Sequence, residues 1–329
     1  MLNSPKKEFV RPNVFVSACI EFDECRFDGT MISSEFVRRL KEVTNVTWVC
    51  PEMMIGLGSP RESLRLVEAK DEELKLVGNE SKKDFTSAME GFTEKYLTRL
   101  KDKDIDGFIM KAKSPSCGIT DAKIYFGTGK SHVKSAKNPG IFGKGVLDHF
   151  PNHPVESERR ISNFNIRDRF FVQLFTLANL RILKEDFKYK DLVNFHSNNK
   201  YLFMSYNQTT LKKMGNIVAN RDKLDQKIAL ELYEVELRKL LDKEPTQKAR
   251  INVLTHIYGY FKNELSSEEK EYYFDTLDDY LNNKITYISV LMILRSWTIR
   301  FKQEYLLKQT VFQPYPKELL VVVDSGKNI

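Results

Sequence analysis

An α/β domain with a Rossmann-like, three-layer parallel sheet, followed by an all-α domain, is the architecture that this sequence predicts. Three observations lead there. Between Asn13 and Met110 the chain reads strand, helix, strand, helix, strand, the pattern of a parallel sheet with crossover helices. From about Arg167 onward strand patterns vanish and helical periods take over. The length, 329 residues, exceeds what one ordinary core serves and suits two domains, expected at residues 1–162 and 163–329.

Asn13 to Cys19 (NVFVSAC) is a short apolar run of the kind that forms a buried strand, and a polar turn from Glu21 to Asp28 closes on Gly29. Ser33 and Ser34 are placed to cap a helix in which Phe36, Leu40 and Val43 recur at spacings of four and three. A second strand, Val46 to Cys50 (VTWVC), ends at Pro51, which has no N–H to give to a ladder. After a loop rich in Gly and Pro, Ser81 with Asp84 three residues on signals a long helix carrying Phe85, Met89, Phe92, Tyr96 and Leu100. Gly107 to Met110 reads as the third strand, and Lys113-Ser114-Pro115-Ser116-Cys117-Gly118 is a turn by composition. In the second half, helix stops fall at Asn198–Asn199, Lys243 to Pro245 and Asn282–Asn283. Ser266 with Glu269 forms a capping box ahead of Tyr272, Phe274, Leu277 and Leu281, an apolar stripe that reads as core. Leu319 to Val323 reads as a closing strand.

A composition of 41% hydrophobic and 29% charged residues is that of a soluble globular protein and excludes a disordered one. The apolar run Val14 to Ile20 is broken by Ser17, so no signal peptide is expected and the protein is placed in the cytoplasm. The longest apolar stretch, Ile285 to Leu294, is far shorter than the ~20 residues that span a bilayer, so no membrane partner is expected. The net charge of +7 lies mainly in the second half and is mild, closer to a solvated surface than to a nucleic-acid patch. Four cysteines in a reducing compartment are free thiols or ligands.

Cys19, Cys50 and Cys117 each follow a strand end, 31 and 67 residues apart. Parallel sheets bind ligands outside the carboxyl ends of their strands, so the three can converge. Three thiolates from three loops suit an iron–sulfur cluster in which one iron lacks a protein ligand and is free to act as a Lewis acid. Buried core cysteines account for the spacing equally well, although a Cys in a Ser-Pro-Ser-Cys-Gly turn is harder to explain as core filler. A structural zinc more typically uses paired ligands two to four residues apart, and no such pair occurs. Glu52, two residues after Cys50, would set a carboxylate beside the cluster to give or take a proton, or is an ordinary surface glutamate. Ser114 and Ser116 can orient a water or substrate, or merely stabilise their turn. Phe126 to Ser131 fails as a phosphate loop because Ile124 stands where its first glycine belongs. The five histidines read as structural or surface residues, Pro151 between His149 and His153 arguing against a ligating helix face.

Taken together, three segments resemble the thiouracil desulfidase family, a three-cysteine iron–sulfur domain. They are Ser17-Ala18-Cys19 with Arg26-Phe27-Asp28-Gly29, Cys50-Pro51-Glu52 with Gly56-Leu57-Gly58-Ser59-Pro60-Arg61, and Lys113 to Gly118. The resemblance covers about residues 10 to 160 and continues through Phe150-Pro151 and Pro154-Val155-Glu156. Phe195-His196-Ser197 and Lys200-Tyr201-Leu202 are similar to an uncharacterised bacterial helical domain that often follows this one. The resemblance implies a 4Fe–4S cluster on Cys19, Cys50 and Cys117, a catalytic pair of Glu52 and Ser114, and substrate contacts from Arg26, Asp28, Arg61 and Ser116. It implies desulfuration of a thiolated small molecule such as 2-thiouracil, with the substrate's sulfur on the open iron and sulfide released by hydrolysis. An incompletely ligated cluster is expected to be lost in air. Two alternatives stay open: a cluster protein that only senses redox state or transfers electrons, and a module whose basic helical half holds tRNA while the cluster acts on a thiolated base. Cys25 departs from the family pattern, which needs no cysteine there; as a fourth ligand it would close the open iron.

Overall fold

The run NVFVS is apolar on both faces, as a strand covered by helices on both sides has to be, and it forms β1 (Asn13–Ser17) inside a parallel sheet. The structure, a computed structural model, describes residues 8–68, 73–220 and 223–320. Ser34 caps α1 (Glu35–Val43) as expected, its hydroxyl accepting from the Val37 N–H, and the helix buries Val37 and Leu40. The chain returns as β2 (Asn45–Val49), in parallel register with β1 from Asn13↔Asn45 to Ser17↔Val49. Pro51 ends that strand and opens a single turn, α2 (Pro51–Met54), because its fixed φ suits the first helical position.

Two expectations fail in the next stretch. The Gly- and Pro-rich loop gives way to an antiparallel hairpin, β3 (Leu64–Glu68) and β4 (Leu74–Gly78). The cap at Ser81 and Asp84 does not form, and α3 (Thr86–Leu100) starts later. Asp84 Oδ1 accepts from the Thr86 N–H at 2.9 Å, and Thr86 Oγ1 accepts from the Leu76 N–H at 2.9 Å, so this polar segment serves the edge of β4 as well as the helix. Beyond β5 (Gly107–Met110) come a second hairpin, β6 (Ala122–Tyr125) and β7 (Val133–Asn138), then α4 (Ile141–His149) and β8 (Val155–Ser157). The rejected phosphate-loop segment is the turn of that hairpin.

The first sheet is wholly parallel, in the order β2-β1-β5-β8; the second, unforeseen, is mixed, in the order β4-β3-β6-β7. On one face of the first sheet Phe15, Phe108 and Met110 join Met89, Leu97 and Leu100 of α3, Phe142 and Val146 of α4, and Leu64, Leu66 and Leu76 of the second sheet in one apolar core. Each fully buried side chain of this kind contributes about 1.5–3 kcal/mol. On the other face Val14, Val16 and Ile109 are equally buried. There Gly107 makes room for α5 (Phe164–Glu185), since a Cβ at 107 would lie 2.9 Å from Leu174 Cδ1 and 3.2 Å from the Pro154 carbonyl. Helices therefore cover both faces of the parallel sheet.

The described residues up to Asn179, joined by those from Tyr315 onward, form one compact unit, and Leu180–Pro314 form a second. The second is helical: α6 (Tyr189–Asn198), α7 (Lys200–Tyr206), α8 (Gln208–Ala219), α9 (Gln226–Leu241), α10 (Gln247–Tyr258), α11 (Ser267–Leu281), α12 (Tyr287–Arg300) and α13 (Glu304–Leu307). Helices α6, α9 and α11 end at the expected stops, and Ser266 with Glu269 forms the full reciprocal capping box. The interior is aromatic, with Phe261, Tyr273 and Trp297 packed edge-on or tilted at centroid distances of 5.6 to 6.0 Å. Of the expected closing strand, Leu319 ends a short 3-10 turn and residues 321–323 lie outside the described residues. Among the described residues no helix is long and apolar enough to cross a membrane.

Candidate active site

All four cysteines line one cavity of about 310 Å³ at the carboxyl edge of the parallel sheet. Cys19 follows β1, Cys50 ends β2 as the N-cap of α2, and Cys117 lies in the loop after β5. The topology thus brings the three together where a parallel sheet presents its ligands. Cys25, which the spacing argument left aside, arrives from the polar turn and is 1% exposed.

The Cys117 loop is held from two sides. Ser114 Oγ accepts from the N–H groups of Ser116 (3.2 Å) and Cys117 (3.0 Å), while the carbonyls of Pro115, Ser116 and Gly118 accept from the N–H groups of Ile141, Gly143 and Gly140 at the start of α4. The helix's first donors are therefore satisfied by the cysteine loop itself. This docking needs glycine at 143, where a Cβ would lie 2.0 Å from the Gly118 carbonyl oxygen.

Glu52, in the first turn of α2, is fixed by two partners. Its Oε2 accepts from Arg61 Nε (2.9 Å) and Nη2 (2.5 Å), and its Oε1 accepts from Ser116 Oγ (2.8 Å), a side chain with no exposure. Arg61 also donates to the carbonyls of Gly58 (2.6 Å) and Cys25 (3.0 Å). Its side chain is 6% exposed and that of Glu52 12%. Burial opposes the Arg61 cation, but the adjacent Glu52 carboxylate more than offsets this and holds the guanidinium above its usual range.

Of the remaining expected contacts, Arg26 lines the cavity with Phe27, whereas Asp28 turns to its own loop, accepting from Thr30 N–H (3.2 Å) and Thr30 Oγ1 (2.7 Å) and pairing with Arg26 at 3.2 Å. Ser116 stands behind Glu52, and Ser114 faces the cavity. Sequence reasoning missed Lys111, a cavity residue whose ammonium donates to Glu158 Oε1 (2.8 Å) and to the Ala112 carbonyl (2.6 Å). Its signal was available: Lys111 follows β5 and Glu158 follows β8, both at the strand ends that carry the cysteines.

The nearest cation described, Arg61, spends its charge on Glu52 and its N–H groups on backbone carbonyls, the Cys25 carbonyl among them. A hydrogen bond with Cys19, together with burial, pushes Cys25 up to about 12; the hydrogen bond with Cys25 and then burial push Cys50 up; burial pushes Cys117 up. A coordinating metal reverses this balance and makes thiolates of them. Among the described residues no group of three or more His, Cys, Asp and Glu is arranged around a point where a single metal ion would sit.

An α/β fold whose strand ends gather cysteines beside a fixed carboxylate defines a class of thiol-lined domain, here followed by a helical one. Residues 14–158 match the family model of 2-thiouracil desulfurase, and residues 200–316 match a protein of unknown function, DUF1722. The uncharacterized protein YbbK of Bacillus subtilis (strain 168) is 33% identical over 122 residues, 35% of this chain and 78% of that protein. The uncharacterized protein YbgA of Escherichia coli (strain K12) is 26% identical over 155 residues, 46% of this chain and 90% of that protein. A solved structure described as a [4Fe-4S]-dependent thiouracil desulfidase, TudS, is 27% identical and covers 46% of this chain and 94% of its own, with a TM-score of 0.38. The chain belongs to the 2-thiouracil desulfurase family.

Proposed function

We propose that the chain is an iron–sulfur-dependent desulfidase that hydrolyses the carbon–sulfur bond of a small thiolated molecule of the 2-thiouracil type. The observation that carries this reading is the convergence of Cys19, Cys50 and Cys117 on one cavity with Glu52 fixed at its wall. Soft sulfur donors from three separate loops suit a 4Fe–4S cluster and suit hard cations such as calcium or magnesium poorly. When bound, the cluster supplies a soft Lewis acid that takes the thiocarbonyl sulfur and drains electron density from its carbon.

The protein's own groups do the rest. A carboxylate offers about four acceptor sites, two on each oxygen. Arg61 fills both on Oε2 and Ser116 fills one on Oε1, so the remaining Oε1 site is where Glu52 takes a proton from water. Ser114 accepts two backbone hydrogen bonds, and among the described residues no acceptor holds its own proton, which is left to steer the water or the thiocarbonyl group. The net reaction is thione plus water giving the oxo compound plus hydrogen sulfide. It consumes no oxidant or reductant.

The test is anaerobic reconstitution of the full chain with iron and sulfide, followed by sulfide release from 2-thiouracil in wild type and Cys117→Ala. Turnover confined to the wild type is the expected result. A cluster that forms without turnover on thiolated bases would replace this reading with a redox-sensing or electron-transfer protein.

A further inference from the structure

We infer that Cys25 is a fourth thiol ligand, closing the open iron until a thiolated substrate displaces it; the inference rests on the cluster reading above. The thiol is buried in the wall of the same cavity as Cys19, Cys50 and Cys117, and it lies within hydrogen-bonding reach of Cys19 and Cys50. Cys50 Sγ in turn donates to the Cys25 carbonyl at 3.8 Å.

That position is enforced from outside. Ser59 Oγ shares its one proton between the carbonyls of Glu24 (2.9 Å) and Arg26 (3.1 Å), Arg61 Nη2 donates to that of Cys25 (3.0 Å), and the Arg61 N–H donates to that of Phe27 (2.8 Å). Four successive carbonyls are thus held by Ser59 and Arg61, and the residue they pin presents a thiol to other thiols. Unlike Cys117, Cys25 does not belong to the apolar cluster that joins the two sheets.

Four thiolates are the usual complement of a 4Fe–4S cluster. Held through its backbone carbonyl and not through a strand, Cys25 is the thiolate whose side chain can swing off the iron while its turn stays in place. The exchange is a ligand substitution: the iron–sulfur bond to Cys25 breaks, the bond to the substrate's sulfur forms, and the departing thiolate takes a proton from solvent. No electron moves.

The experiment uses the full chain, reconstituted anaerobically, as wild type, Cys25→Ala and the nearly isosteric Cys25→Ser. Its readouts are iron per chain, the electron paramagnetic resonance signal of a three-iron cluster after ferricyanide oxidation, and spectral titration with 2-thiouracil. Wild type is expected to resist loss of the fourth iron, and Cys25→Ala to convert readily to the three-iron form. Because wild type has to release Cys25 first, Cys25→Ala should bind 2-thiouracil about tenfold more tightly. Cys25→Ser should fall between them and carries the test if the alanine variant folds poorly. Equal conversion and equal affinity in all three would overturn the inference and leave the three-cysteine reading standing. A wild type that takes up no cluster would overturn both.

Discussion

Buried polar groups in the α/β region and in the helical region point in different directions. In the α/β region Thr44 and Thr93 bond their own helices, but those around the cavity reach across the chain: Ser116 reaches Glu52 64 residues away, and Arg61 reaches the Cys25 carbonyl 36 residues away. In the helical region most point back at their own helix. Thr298 Oγ1 donates to the Leu294 carbonyl, Ser205 Oγ to Leu202 and Asn199 Nδ2 to Phe195, three or four residues upstream. The second pattern is how a packed helix satisfies a hydroxyl or amide at small cost. The first orders several segments for a few bonds and is sustained where it positions chemistry.

The sharpest break in this comparison is Glu52→Gln. It keeps the shape of the side chain and removes the proposed base, so turnover should fall by roughly 10²–10⁴-fold with iron content unchanged; full turnover with an intact cluster would remove Glu52 from the proposed chemistry. Next comes Gly143→Ala, whose new methyl meets the Gly118 carbonyl. Relieving that clash should cost about 1–3 kcal/mol in urea denaturation and lower iron uptake, because the yielding segment carries Cys117. If the midpoint shifts but iron uptake does not, the loop is held by less than its docking on α4.

The helical region responds to pH instead. Burial, with Lys200 nearby, lowers His196 to about 4, and the imidazole bonds the Tyr233 hydroxyl at 3.1 Å. The unfolded chain therefore binds more protons between about 4 and the ordinary histidine value near 6.5, so stability is present above that window and is lost as pH falls through it. Urea midpoints at pH 7 and pH 5 should differ less for His196→Gln than for wild type. The smallest effect expected is Ser266→Ala, which removes a capping box for about 1 kcal/mol and should leave iron uptake untouched.

Strand ends, crossover helix and the three cysteine loops were legible because a buried parallel strand writes itself as a short apolar run and a following Pro or Gly marks its exit. The second sheet was not. Val133 to Asn138 pairs with β6 yet is polar on both faces, so no period of two survives in its sequence. The late start of α3 was hidden because Ser81 and Asp84 imitate a cap whose carboxylate in fact accepts from Thr86. Cys25 was seen as a departure from a pattern, but its place in the cavity depends on Ser59 and Arg61, more than thirty residues on, and no local signal carries that.

Among the described residues Arg61 is the one side chain that touches the Glu52 carboxylate, the Gly58 carbonyl and the turn that bears Cys25. A lysine offers a single point of charge where three acceptors in different directions need a planar fork. In descent, positions 52, 61 and 116 are thus bound to a common fate: a lineage that abandons the carboxylate loses the reason to keep the buried cation, and one that abandons the cation strands the carboxylate. Relatives that replace one of the three are therefore expected to replace the others with it.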